Sequence, residues 1–176
     1  KKEGPVKPSL HPGKQKMTIV DLPGAYSMSP YTSEESITRD FVQNEHPDVI
    51  INIVDATNLS RSLFFTSQLM ELGIPVVIAL NKSDLIQKRG IIIDSELLSE
   101  ILGCPVVRTV STRTTNNGLR ALMEAVQNVF DKKKKQQSLH IKGVKTDASK
   151  EEMEQIDQNR FAVVNEIVDR VERRRM

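Results

Sequence analysis

Pro75-Val-Val-Ile-Ala-Leu80 runs straight into Asn81-Lys82-Ser83-Asp84. The apolar run is short, lacks polar alternation and is rich in β-branched residues. It reads as a strand buried on both faces of a parallel sheet. Three further runs share this form. Met17-Thr-Ile-Val20 ends at Asp21, Val49-Ile-Ile-Asn-Ile-Val54 ends at Asp55, and Pro105-Val-Val107 leads toward Val110-Ser111.

Helical patterns fall between the runs. Ser33 to Asn44 is polar and opens on acidic residues. Leu63, Phe64, Ser67, Leu69, Met70 and Leu72 mark a helix that stops at Gly73. Asp94 caps a helix that runs to Leu102 and stops at Gly103, and Leu119, Leu122, Met123 and Val126 form one more apolar face. Strands alternating with helices predict a doubly wound α/β domain with a mostly parallel sheet. The composition changes at Asp131. Lys132 to Gln137 is charged and polar, and His140 to Lys150 has no clear period. Met153, Ile156, Phe161, Val164, Ile167, Val168 and Val171 then recur at helical spacing, predicting one or two helices outside the sheet domain. The expected division is a sheet domain over 1–131, a linker over 132–148 and a short helical appendage over 149–176.

The chain's 176 residues suit one core with a small addition. A formal net charge of +2 does not call for a nucleic-acid partner. The basic clusters Lys132–Lys135 and Arg173–Arg175 read as solvated linker and helix end, with contact to an anionic membrane surface as the other reading. The single cysteine, Cys104, excludes an internal disulfide and reads as a small buried residue rather than a nucleophile. No stretch approaches the ~20 apolar residues of a membrane span. The opening Lys1-Lys2-Glu3, without an initiator Met, suggests a segment of a longer protein.

Polar residues close the runs, and in an open α/β sheet that edge is where ligands bind. Asp21 opens Asp21-Leu22-Pro23-Gly24. Its carboxylate suits a magnesium ion held through water, and the Gly24 amide lies open to a terminal phosphate. Asp-x-x-Gly alone also fits an ordinary turn. Asn81-Lys82-x-Asp84 is more specific. Asp84 can accept two hydrogen bonds from the ring NH and exocyclic amine of guanine, a pair of donors that adenine lacks. Asn81 would tie neighbouring loops together, and the Lys82 stem would lie over the base. Ser111 and the Thr112 amide could reach the guanine carbonyl. The order decides: Asp-x-x-Gly, about sixty residues to Asn-Lys-x-Asp, then about thirty to Ser-x-x. It implies GTP-binding ancestry.

At these residues the chain resembles the ferrous iron transport protein B (FeoB) family. Asp21-Leu-Pro-Gly-Ala-Tyr-Ser-Met-Ser-Pro-Tyr-Thr-Ser-Glu-Glu35, Arg39-Asp40, Pro47-Asp48 through Asn58, Leu72 through Asn81 and Leu102 through Val106 carry the likeness. It covers roughly residues 1 to 130, and the segment after 150 is similar in position to that family's small helical domain. The resemblance implies a Ras-like P-loop NTPase fold, incomplete at the N-terminus. It implies binding of GTP or GDP with magnesium, slow hydrolysis, and potassium stimulation through an Asn of the phosphate loop. It also implies coupling to Fe(II) uptake by a membrane-embedded permease region of the same protein, with this domain on the cytoplasmic face of the bacterial inner membrane.

By the resemblance, Asp21 to about Arg39 would be the second switch, with Gly24, Ala25, Glu34 and Glu35 as its candidate residues. Ala25 stands where many GTPases carry a water-orienting Gln. A Gly-x-x-x-x-Gly-Lys-Ser/Thr loop is missing from the sequence. Pro12-Gly13-Lys14-Gln15 lacks its spacing and hydroxyl and reads as a turn between two strands. The family places that loop, the first strand and helix, and the switch Thr before Lys1. Without the loop, the chain alone is expected to hydrolyse nothing. Two other readings stay open: a non-catalytic G domain acting as an interaction module, and a fragment of a ribosome-associated GTPase.

Overall fold

The computed structural model describes residues 2–5, 18–21, 40–110, 118–132 and 150–174. The central sheet has the strand order β3-β4-β6, from β3 (Ile50–Asp55), β4 (Val76–Asn81) and β6 (Val106–Thr109), and all its pairings are parallel. Helix α2 (Leu59–Met70) connects β3 to β4. Between β4 and β6 lie α3 (Ser83–Lys88), the short strand β5 (Ile91–Ile93) and α4 (Ser95–Leu102). Helix α5 (Leu119–Lys132) follows, then α6 (Lys150–Val171) and β7 (Glu172–Arg174). Residues 40–45 are helical, α1.

The alternation of side chains along β4 builds the layers. Val76, Ile78 and Leu80 point into one core, which α2, α4 and α6 cover through Leu63, Phe64, Leu98, Leu102, Val164, Ile167 and Val171. Val77 and Ala79 point to the opposite face, where Leu122, Met123, Val126 and Val129 of α5 cover them. This is the two-sided covering of a doubly wound sheet. The single helix α6 contributes its apolar stripe to the larger core. Its end is tied down where the Asp94 amide donates to the Val171 carbonyl at 2.8 Å, and β7 then pairs antiparallel with β5.

The caps of α4 form as their residues suggest. The Asp94 carboxylate accepts from the Leu97 amide at 3.0 Å, and Gly103 takes a left-handed φ of 70°.

The first apolar run departs from its reading as a buried parallel strand. Strand β2 (Thr18–Asp21) pairs antiparallel with β1 (Lys2–Pro5) in a two-stranded sheet of its own. Thr18 is exposed and Ile19 is 43% exposed. The physical reason is that, among the described residues, none of β1 or β2 joins either core. On the α5 side of the sheet, Ile53 is in register with Ala79 yet 68% exposed, because α5 sits over β4 and β6.

Candidate functional site at the carboxyl edge of the sheet

The parallel register aligns three polar residues at the carboxyl ends of the sheet. Asp55 of β3 is opposite Asn81 of β4, and Asn81 is opposite Thr109 of β6. Thr109 is buried, and its hydroxyl lies 3.5 Å from Asn81 Oδ1, a long contact that ties β6 to β4. Asn81 is partly buried, as expected of a residue that joins neighbouring strand ends.

The chain turns sharply after Asn81. Lys82 has φ 63° and ψ 20°, the left-handed conformation, which costs an L residue about 1–2 kcal/mol. The Leu85 amide donates to the Lys82 carbonyl at 3.1 Å and closes this turn into α3. Asp84 therefore sits in the first turn of α3, where the helix dipole favours its negative charge. It is partly exposed at the sheet edge. Asn81, Lys82 and Asp84, separate in role by sequence reasoning, are thus brought to one strand end.

One participant was not singled out by its motif. Asp55 Oδ2 accepts from Lys82 Nζ at 3.1 Å. Its Oδ1 accepts from the Thr57 amide at 2.9 Å and from the Thr57 hydroxyl at 2.6 Å. Partial burial pushes the Asp55 carboxyl up, but the hydrogen bonds from Thr57 and Lys82 and the lysine's charge outweigh it, and the net displacement is downward. The signal was present in sequence: Asp55 closes an apolar run, as Asp21 and Asn81 do.

The remaining candidates are less connected. Asp21 is the last residue of β2, in register with Lys2. Gly24, Ala25, Glu34, Glu35, Ser111 and Thr112 lie outside the described residues, as does the Pro12–Gln15 turn. Cys104 is 3% exposed, and burial pushes its thiol up to about 12, which fits an inert core residue. No helix among the described residues is long and apolar enough to cross a membrane.

A parallel sheet covered on both faces, with polar residues closing its strands and Asn-Lys-x-Asp after β4, defines the Ras-like class of α/β domains. The family model described as Ferrous iron transport protein B matches residues 5–126, and the chain belongs to that family. The matched region corresponds to the G-domain part of its relatives.

Curated relatives include the Fe(2+) transporter FeoB of Escherichia coli, 42% identical over 130 residues, covering 72% of this chain and 16% of the relative. An Fe(2+) transport protein A/Fe(2+) transporter FeoB fusion protein of Porphyromonas gingivalis is 44% identical over 124 residues, 70% of this chain and 14% of that protein. The matches thus span less than a fifth of these relatives. Among solved structures, the cytosolic domain of L. pneumophila FeoB superposes with a TM-score of 0.82 at 27% identity, covering 98% of this chain and 85% of that one. The FeoB G-domain from Methanococcus jannaschii gives 0.67 at 42% identity, covering 74% and 80%. A GDP-bound mutant of the S. thermophilus FeoB G-domain gives 0.70 at 28% identity, covering 89% and 81%.

Proposed function

We propose that this chain supplies the base-recognition half of a guanine-nucleotide site. In the intact transporter, GTP binding and hydrolysis there would drive Fe(II) uptake through a membrane-embedded permease region. The observation that carries the reading is the strand-end alignment of Asp55, Asn81 and Thr109, with the left-handed turn at Lys82 placing Asp84 beside it. Asp84 would accept from the guanine ring NH and amine, Asn81 would brace the strand ends, and the Lys82 stem would cover one face of the base. Ser111 and the Thr112 amide would meet the carbonyl. The GDP-bound relative supports the choice of nucleotide.

Magnesium would enter with the nucleotide. Such an ion keeps most of its shell as water and phosphate oxygens and needs few protein carboxylates. Asp21, an acidic residue ending β2, is chemically suited to reach it through water. The metal would neutralise phosphate charge. The phosphate-gripping loop is not in this sequence, so the 176 residues would bind guanine nucleotides weakly and turn none over. On this reading residues 1–131 form a partial G domain, 132–148 a linker and 149–176 part of a helical domain, all on the cytoplasmic side of the inner membrane.

Nuclear magnetic resonance titration at millimolar nucleotide tests the reading. GDP is expected to shift the amides of Asn81 to Leu85, and ADP is not. Asp84→Asn should weaken GDP by about 1–3 kcal/mol, the scale of hydrogen bonds to a charged group, and should favour XDP. Equal responses to GDP, ADP and XDP in both proteins would overturn the assignment.

A further inference from the structure

Two facts about Lys82 call for a common cause. It is one of two non-glycine residues with positive φ among those described, the other being His46. Its ammonium is held by a carboxylate on the neighbouring strand. A backbone in this region persists only where its surroundings impose it.

Asp55 is built to impose it. Its Oδ1 is occupied by the two Thr57 bonds, and its amide donates to Ser62 Oγ at 3.1 Å. The carboxylate is therefore oriented before Lys82 arrives, and Oδ2 is left for the ammonium. Because Asp55 and Asn81 are in register, the ion pair crosses from the end of β3 to the residue just beyond β4. The lysine stem is drawn across the strand ends. Half of the Lys82 side chain and a third of that of Asp55 are exposed, so the pair contributes little to global stability. Its consequence is local geometry.

We propose that Asp55 is a positioning residue: it anchors the Lys82 ammonium and thereby fixes the left-handed turn that delivers Asp84 to the start of α3. The geometric part stands by itself. Its purpose, a base-recognition edge formed in advance of the nucleotide, rests on the guanine reading of Asp84.

Asp55→Asn separates this role from capping. An Asn side chain still accepts from Thr57 and caps the turn after β3, but it removes the anionic anchor. In the nucleotide-free 176-residue chain, carbon chemical shifts report the conformation of Lys82, and its ammonium resonance reports ion pairing. Asp55→Asn is expected to reduce the left-handed signature at Lys82 and to remove the slow exchange of its ammonium protons, while the thermal midpoint stays within a few degrees of wild type. An unchanged Lys82 signature would overturn the proposal.

A double-mutant cycle with Lys82→Met then reads the purpose. Asp55→Asn should weaken GDP roughly three- to tenfold in the wild-type background and have no further effect in Lys82→Met. Equal losses in both backgrounds would mean that Asp55 acts by another route and would overturn the link to Lys82. A wild-type chain without GDP response at Asn81 to Leu85 would sink the guanine reading, and the Lys82 shifts would still decide the anchoring.

Discussion

Arg160 of α6 donates through Nη1 to the hydroxyl of Ser67 on α2 at 2.9 Å, joining residues 93 positions apart. Nη2 of the same guanidinium meets the Glu71 carboxylate at 3.0 Å, and the group lies 5.7 Å from the Phe64 ring centroid. Phe161 stacks on Phe64 with centroids 4.3 Å apart. Ser67 in turn donates to the Phe64 carbonyl at 2.7 Å. A buried charge with directed partners fixes the rotation of α6 on α2, which an apolar stripe alone leaves loose.

Arg160→Ala should therefore destabilise the chain by about 2–4 kcal/mol, from lost packing and from the acceptors left behind. Glu71→Gln should cost about 0.5–1 kcal/mol, since its carboxylate is partly solvated. Urea denaturation measures both. Equal, small effects would show that the apolar stripe of α6 suffices.

Gly118 and Gly90 make a matched pair. Both have positive φ, +83° and +77°. A Cβ at Gly118 would stand 2.2 Å from the Arg108 carbonyl oxygen, whereas one at Gly90 meets nothing within 4 Å. Gly90→Ala should cost about 1–2 kcal/mol, the backbone term alone. Gly118→Ala must also move β6 or α5 and should cost clearly more. Comparison of thermal midpoints decides, and an equal cost would mean that β6 yields freely at Arg108.

Acid should remove a small contribution made by Asp55. Its folded carboxyl lies below the ordinary range, so the unfolded chain binds that proton more tightly than the native state does. The stabilisation is complete above the unfolded value near ~4 and is lost as pH falls through the folded one. Asp55→Asn should flatten that part of the stability profile. An identical slope below about pH 4 would place the acid sensitivity on other carboxylates.

Cys104 should behave in the opposite sense. Its folded thiol stands at about 12 against an ordinary 9.0, so stability is unaffected below the unfolded value and falls as pH rises from there toward the folded one. Under native conditions near neutral pH, alkylation should be slower than in urea by roughly a hundredfold or more, the population of opened molecules setting the rate. Rapid native labelling would show local opening around α4.

Legibility varied with how local the cause was. Pro75 to Asn81 could be read as a doubly covered strand because Val76 to Leu80 are all buried, and α4 could be read from its own caps, Asp94 and Gly103. Strands β5 and β7 could not. Three residues carry no period, and Glu172-Arg173-Arg174 is charged throughout, so the pairing exists only because α6 delivers β7 to Ile91–Ile93. The run ending at Asp21 differs from its expectation for a related reason: Thr18 to Val20 has the composition of a covered strand, but covering is a property of neighbours. At the site, Asn81, Lys82 and Asp84 were visible from spacing. The left-handed turn at Lys82 and its anchor on Asp55 were not, because neither a lysine nor an aspartate signals a positive φ on another strand.

The pairing of α6 with α2 also has a consequence in time. Ser67 leaves the ribosome 93 residues ahead of Arg160. At ~5–20 residues per second, Leu63, Phe64 and their neighbours wait roughly 5–20 s for the helix that covers them. In the part of that interval after β6 has emerged, the nascent chain carries an open apolar face beside the sheet, the kind of surface that chaperones hold. Among the described residues α6 is the last helix to join that core, so translation that stalls before it would leave the face of α2 uncovered.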